Sequence, residues 1–510
     1  MISAWDCYYS VSVDSGGDGP FQLTAEYADG GVLFSGNVDG ACEFKSPESG
    51  LVNITVKNNS EGFAAADVSY RLDRSRIPDT WTIMLYFNST NLEDTLMENV
   101  KEIVDGYHPD IGINVVLLID KMTQNWSYDI PGFDFDDTRL YLIRTGNPLR
   151  LSGGMEFSEI SAEAEIELNM GDAVNLRKFI EYGKANFPAQ RYAFIIHSHG
   201  EGVSGLCGDN DSAGGDRLHI GEISSELNSS HSVDLIGFNC CLMGNAETAY
   251  QIRNGDGNDG FCAEIMVASA GKSMTKGWKY DTAFGRINRV SGGDGTSNLQ
   301  HNSETDEISG GSELVYNPAE MSAVELASVI IEENRDGIYE YLDHRFYIYD
   351  NLTAYRLDMA GEVKAAADAL AEALAENNEK SAMENLRNEC GGYFYIYIDD
   401  EESTKEQQAE YPLYELRDLS EGITAAQQNV FNPGTVAAAD AVTAAADNML
   451  LYSYYFGDLS GDYGLSIFFS LGDLIYNEKP MFEHQYWYNP ATLIPGPGSS
   501  SEEQYYGNLY

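Results

Sequence analysis

Positive charge is scarce in this sequence: 30 lysines and arginines stand against 81 aspartates and glutamates, a formal net charge of -51. Such a surface repels polyanions, so nucleic acid is excluded as a partner; it is either a solvated acidic coat or a field that gathers cationic peptides. No run of about 18 apolar residues occurs, which excludes a membrane-spanning helix and leaves a soluble chain as the expectation. The first residues, Met1 to Tyr9, have neither a basic n-region nor an apolar h-region, so a secretory signal is either absent or already removed. Cysteines stand at positions 7, 42, 207, 240, 241, 262 and 390 without a CxxC pair, which argues against a zinc knuckle or a thioredoxin-like redox motif. Cys7 and Cys42 either close one loop of a secreted amino-terminal module or stay separate thiols. Apolar matter is plentiful: 43% hydrophobic residues, with 33 Tyr and 21 Phe, exclude disorder of the whole chain. The 510 residues suffice for about three structural units.

Along the chain, residues 1–75 read as short alternating strands (Tyr8 to Val13, Phe21 to Tyr27, Gly31 to Phe34, Leu51 to Val56) separated by Gly, Asp, Asn and Ser clusters. They predict a small β-sandwich that serves either as structural cover or in carbohydrate or surface binding. From Trp81 the rhythm changes. Apolar runs at Trp81 to Phe87, Ile113 to Asp120, Arg139 to Arg144, Arg191 to His197, Val233 to Phe238 and Ile265 to Ser269 have strand length. Helical patterns at Leu92 to Val104, Asp172 to Asn186 and Asn245 to Ile252 lie between several of them. Near-continuous apolar strands joined by helical crossovers predict a mostly parallel sheet covered on both faces, an α/β/α sandwich spanning 79–490. Further helices are expected at Ala319 to Asn334, Met359 to Asn377 and Val436 to Met449, with strands at Gly392 to Ile398 and Tyr463 to Phe469. A polar insertion near 291–313 cannot pack a core, and Arg286 and Arg289 just before it are conceivable proteolytic cut sites. Residues 495–510 have the composition of a linker-like tail.

Ligands of such sheets sit beyond the carboxyl ends of the strands, and two strand ends carry reactive groups there. One strand runs from Arg191 into His197-Ser-His199 and then Gly200-Glu-Gly202; the other runs from Val233 into Asn239-Cys240-Cys241 before a helical stretch. A thiol at a strand-to-helix turn gains from the helix amino terminus and from a neighbouring imidazole, both of which favour thiolate. A histidine on an adjacent strand end can donate the proton to a leaving amine, and backbone N–H groups near Gly200 and Cys241 can hold an oxyanion, so the reaction class is acyl transfer. On spacing alone an inert buried cysteine is the commoner outcome. His197 and His199 as a metal pair near Glu201 is a further alternative, lacking a fuller ligand set. Asp209-Asn-Asp211 reads either as a polar turn or as a calcium-favouring cluster without the EF-hand pattern.

Several stretches in order sharpen this choice: Trp81-Thr-Ile-Met-Leu-Tyr86 with Asn91-Leu-Glu93, Glu167-Leu-Asn-Met-Gly-Asp172, Phe187-Pro-Ala with Arg191-Tyr192, His199-Gly-Glu-Gly202, and Cys241-Leu-Met-Gly-Asn-Ala-Glu247. Ala268-Ser269, Gly277-Trp-Lys-Tyr280 and a closing Gly464-Leu-Ser-Ile-Phe-Phe469 follow. Together, over about residues 80 to 475, the chain resembles the clostripain family of cysteine endopeptidases, which shares the caspase-like fold with caspases, gingipains and legumains. The resemblance implies a caspase-like sandwich and peptide hydrolysis through a Cys-His dyad and a thioester acyl-enzyme. Position by position, His199 matches the family's catalytic histidine and Cys241 its nucleophile; Cys240 takes the small-residue position before it, and His197 is read as a structural or hydrogen-bonding residue.

The departures bear on specificity. Where family members commonly have an Asp two residues before the nucleophile, associated with a basic P1 side chain, this chain has Asn239, and the loop before Gly277-Trp278 holds Lys272 and Lys276. A buried Arg or Lys of the substrate would lack its counter-ion there, so the family's basic preference competes with an acidic or neutral polar one. The substrate-binding set is then Asn239, Ser269, Lys276 and Trp278, with Gly200 and Cys241 as oxyanion donors through their backbone. No cofactor is required on this reading, and calcium is the one candidate ion. Peptides or proteins are the substrates; the enzyme is secreted or held at the cell surface, and the amino-terminal module binds a surface or covers the active site. The competing reading is a catalytically silent binding protein on the same fold.

Overall fold

The computed structural model describes six strands within residues 7–72 and most of the chain from 81 to 469; the longest stretches outside it there are 288–314 and 398–411. Residues 470–510 also lie outside the described residues, as do the polar insertion, Arg289, the tail, Lys272 and Lys276.

The amino-terminal strands form two three-stranded antiparallel sheets. In one, Cys7–Asp14 lies between Gly40–Ser46 and Asp67–Leu72; in the other, Phe21–Tyr27 lies between Val32–Val38 and Val52–Asn58. Phe21, Leu23 and Ala25 alternate along one strand and are buried, the period expected of a strand with one covered face. The pairing rules out a Cys7–Cys42 bridge. Cys7 lies opposite Ser46 and Cys42 opposite Val11, an offset of four residues. That is roughly 13 Å along a strand, against the roughly 7 Å limit between Cα atoms of a disulfide.

The remainder is built on a nine-stranded sheet. Five adjacent strands run parallel, in the order Asn114–Asp120, Trp81–Asn88, Arg191–His197, Val233–Asn239 and Ala263–Ala268. Thr138–Leu142 and Leu149–Leu151 extend one edge antiparallel, as Asn351–Arg356 and Leu450–Tyr455 extend the other. Alternate residues of the parallel strands enter two separate cores. Trp81, Ile83, Leu85, Phe87, Ile195 and Leu235 face the layer of Glu93–Gly106, Tyr280–Gly285 and Ala323–Asn334. Met84, Tyr86, Phe194, Ile196, Ile236 and Phe238 face the layer of Ala173–Asn186, Ala246–Gln251, Ala360–Glu376, Leu416–Ala425 and Pro433–Met449. The near-continuous apolar strands are therefore covered on both faces, and the expected α/β/α sandwich is observed. The sheet reverses direction of growth between Trp81–Asn88 and Arg191–His197, the kind of switch point beyond whose strand ends the ligands of such sheets bind.

The carboxyl-terminal half departs from the reading of its strands. Ile396–Tyr397 and Ser466–Phe468 do form strands, but in small separate sheets; Ser466–Phe468 pairs with Leu413–Glu415. The strands that widen the main sheet are Asn351–Arg356, with a polar first residue, and Leu450–Tyr455, which follows the helix Pro433–Met449 without a turn. Neither is bounded on both sides by the Gly or Pro signals that mark strands in sequence. Arg286 is a second correction. Its guanidinium is buried and paired with Glu332 (2.7 Å) and Glu333 (3.1 Å), and its carbonyl accepts from the Tyr316 N–H, so a protease cannot reach it in the intact fold.

Ser466–Phe468 is fastened to the helix after Cys241 by Glu247, which is 5% exposed and accepts the Phe468 N–H at 2.9 Å through Oε1. Its Oε2 has no hydrogen-bond partner among the described residues, and burial pushes its carboxyl up to about 7. A carboxyl whose pKa is higher folded than unfolded stabilises the fold less as pH rises from about 4.5 to about 7. Glu247→Gln, which keeps the acceptor and removes the charge, is expected to raise stability at pH 8 by roughly 1–3 kcal/mol and to change little at pH 4.5. Denaturant melts at both pH values check this; an equal effect at both would show that charge is not the cause.

Candidate active site

The parallel register between the two informative strands ends at His197 opposite Asn239. Two residues farther along each chain stand His199 and Cys241, leaving adjacent strands at the same level. Gly200 closes the gap. A Cβ at this position would fall inside van der Waals contact of the Cys241 carbonyl oxygen and 2.9 Å from the Cys240 Cβ, so only glycine lets the two loops meet. The histidine loop then turns back as a narrow hairpin: the Cys207 N–H donates to the His199 carbonyl (3.1 Å) and the Glu201 N–H to that of Gly205 (2.9 Å). Gly200 and Leu206 face each other between these bonds, so the Gly200 amide is not one of the hairpin's ladder donors.

The cysteine turn is held from three directions. The Leu242 N–H donates to the Gly271 carbonyl (2.8 Å) and the Gly244 N–H to that of Ser269 (2.7 Å). The Gly244 carbonyl accepts the Ser466 N–H at 3.0 Å. Leu242 itself has φ 64, a left-handed conformation that a leucine adopts only when its surroundings impose it. Leu242, Ala270, Tyr393 and Leu413 make an apolar floor against which half-buried Cys241 packs. The helix begins where the sequence pattern put it, but that start lies well past the thiol. It starts at Ala246, capped by Asn245, whose Oδ1 accepts the Thr248 N–H at 2.7 Å, and runs only to Gln251. The field of a helix amino terminus falls off within a turn, so little of it reaches a thiol five residues upstream.

The two cysteines are sharply distinguished. Cys240 is buried on the opposite face, its Sγ 3.5 Å from the Ile196 carbonyl, and burial with the nearby Cys207 thiol holds its pKa well above the usual thiol range. It is an inert core residue. His199 is half-buried; desolvation lowers its pKa, with the Glu201 carboxylate opposing, and Glu201 is itself ion-paired with Arg217. His197 is wholly buried, and desolvation with the neighbouring His199 lowers its pKa to about 3. Its ring lies 5.0 Å from Phe87, and its Nδ1 lies 2.9 Å from Asn239 Nδ2.

The residues expected to bind substrate are differently placed. Asn239 is half-buried, and its Nδ2 also donates to Asn99 Oδ1 at 3.1 Å. Trp278, expected at the substrate, is instead 5% exposed and packed into the core beside Glu93–Gly106, so close to the sheet that a Cβ on Gly237 would lie 2.8 Å from its ring. Ser269 is 3% exposed, and its hydroxyl is bonded to the Gly271 carbonyl and to Asn351 Oδ1, both at 3.0 Å, so its side chain holds the loop that receives the Leu242 N–H. Lys276 lies outside the described residues. Asp209 is buried and accepts the Met170 N–H at 2.7 Å, while Asn210 and Asp211 are not described. Among the described residues no group of three or more His, Cys, Asp or Glu side chains is placed to hold a metal ion.

A sequence model of the Clostripain family matches residues 84–503. Clostripain of Hathewaya histolytica is 37% identical over 440 residues, 81% of this chain and 80% of that protein. The chain belongs to the clostripain family. It is a cysteine-type endopeptidase, a hydrolase of peptide bonds. A secreted C11 cysteine protease of Bacteroides thetaiotaomicron, solved with an irreversible peptide inhibitor, aligns with 80% of this chain and 98% of its own at TM-score 0.50 and 14% identity. That likeness bears on the fold, and the caspase-like sandwich implied by the resemblance is the one observed.

Within this clostripain-family site, Asn99, Asn351 and Glu247 were not singled out as functional from sequence. Asn99 left one signal: it lies three residues after Leu96 and four before Ile103, on the buried stripe of its helix, where a polar side chain needs a partner. Gly200→Ala tests the closeness of the two loops. The added methyl is expected to lower kcat/KM more than about 100-fold and stability by about 1–3 kcal/mol, read by peptide hydrolysis and thermal melting. Wild-type turnover by this variant would show that the loops do not need this approach.

Proposed function

We propose that this clostripain-family peptidase works through a Cys241–His199 dyad. The Cys241 thiolate adds to the scissile carbonyl; the oxyanion so formed accepts hydrogen bonds from the backbone N–H groups of Gly200 and Cys241. Collapse breaks the C–N bond as the His199 imidazolium gives its proton to the leaving amine, leaving a thioester. A water molecule, deprotonated by neutral His199, then attacks the thioester, and the carboxylic acid product leaves as the thiol is restored. The observation that carries this reading is the shared end of the two strands with Gly200 packed against Cys241. Burial of Cys240 and His197 supports assigning the chemistry to their neighbours.

The chemistry uses only the chain's own groups. At P1 we favour a neutral polar or acidic side chain over the basic one of the family pattern, because Asn239 brings no charge to the pocket and already donates to His197 and Asn99. The protease acts outside the cell, as a relative described as secreted suggests, with its amino-terminal sheets attaching it to a surface or covering the active site.

A peptidyl electrophile is expected to label Cys241 in the wild type and nothing in Cys241→Ala, with turnover abolished in the variant. His199→Ala should lower kcat by about 100-fold or more. In deacylation His199 acts as the neutral base, and because burial lowers its pKa the acid limb of the deacylation rate should fall below pH 6.5. Profiling of peptides that differ only at P1 decides specificity: dominant cleavage after Arg or Lys would overturn the P1 reading. Loss of turnover in chelator with rescue by calcium would assign an ion to the loop at Asp209.

A further inference from the structure

We infer that Asn99 is a positioning residue for the substrate pocket, locking the Asn239 carboxamide and the Gly277–Trp278 turn into one arrangement that requires an amide at position 239. The inference rests on the proposed role of Asn239 in that pocket.

Asn99 lies on the helix Glu93–Gly106 and is 1% exposed. Its Nδ2 donates to the Trp278 carbonyl at 3.2 Å and lies 3.4 Å from Glu102 Oε2. A carbonyl can only accept, so the side of Asn99 facing Trp278 is its NH2 and the side facing Asn239 is its Oδ1. Asn239 must therefore present its own NH2, which donates one proton to Asn99 and the other toward His197 Nδ1. The buried imidazole is neutral and accepts at Nδ1. Every hydrogen bond from the Trp278 carbonyl to the histidine strand thus runs in a forced direction.

An Asp at 239 would break this order. Its carboxylate would face the Asn99 oxygen, and flipping Asn99 would turn its carbonyl on that of Trp278. The turn is fitted just as closely. Gly277 has φ +84, and a Cβ there would fall inside the Asn99 carboxamide. The Tyr280 N–H donates to Glu102 Oε2 at 3.2 Å, tying the far end of the same turn to the same helix. One side chain, 140 residues upstream, therefore sets both the group that ends the nucleophile strand and the loop that carries Trp278.

The test uses the full chain as wild type, Asn99→Ala, Asn239→Ala and the double variant. Each is assayed with the P1 peptide series and by alkylation of Cys241 with iodoacetamide, a probe without a P1 group. Asn99→Ala is expected to lower kcat/KM on the preferred peptide about 10-fold or more, chiefly through KM, and to narrow the spread among P1 residues, while alkylation stays within about twofold. The double variant should be no worse than the poorer single one within about twofold, since both remove the same arrangement. If Asn239→Ala changes the P1 ratios and Asn99→Ala does not, the inference is overturned. So too if alkylation slows as much as turnover, which would mark a general structural role. If Asn239→Ala leaves the P1 ratios unchanged, the pocket reading itself fails. Should Asn99→Ala not fold by thermal melting, Asn99→Ser carries the same comparison.

Discussion

The parallel ladder between Arg191–His197 and Val233–Asn239 is the constraint from which the site follows. Parallel strands fix the offset between chains along their whole length, so two strands that end on one bonded pair release their next residues side by side. His199 and Cys241 are brought together in this way from positions 42 residues apart. The ladder cannot by itself close the distance between two loops. That falls to Gly200 and Gly244, whose missing side chains let the histidine loop meet the Cys241 carbonyl and let the Ser269–Ala270 backbone press against the cysteine turn. Left-handed Leu242, next to the thiol, is a further departure that the packing around the turn imposes.

A second principle is the separation of reactive from inert copies of the same side chain. Two histidines and two cysteines lie within two residues of each other, and burial divides each pair. Cys240 sinks into the core with its pKa raised, and His197 into the polar cluster with its pKa lowered. In both cases desolvation opposes the charged form, which for a thiol and an imidazole means opposite directions of shift. Their neighbours Cys241 and His199 are only half-buried.

The carboxyl-terminal strand Ser466–Phe468 shows how distant chain supports the same turn. Glu247 accepts from Phe468; Glu415 accepts from the Gly464 N–H at 3.0 Å and from the Tyr393 hydroxyl. Burial holds both carboxyls at about 7. Two acids with no ion-pair partner among the described residues are unfavourable as anions, and their worth lies in fixing backbone around the Cys241 turn that would otherwise fray. In a chain with 81 acidic residues, most carboxylates have water to solvate them; these two do not.

Much of the fold was legible in the chain because its strongest signals are local. Apolar runs of strand length, the helical period between them and the helix starts at Asp172 and Asn245 follow from burial and hydrogen bonding over a few neighbours. The motifs around His199 and Cys241 were legible for the same reason, each being a short contiguous stretch. The strands Asn351–Arg356 and Leu450–Tyr455 were not, since their pairing depends on a sheet edge formed elsewhere. Nor could spacing reveal that Cys7 and Cys42 sit four residues out of step or that Arg286 is paired inward. The role of Asn99 belongs to the same class. Its neighbours come from three segments far apart in sequence, and the direction of their hydrogen bonds is settled when a carbonyl from one meets an amide from another, an encounter that no local pattern encodes.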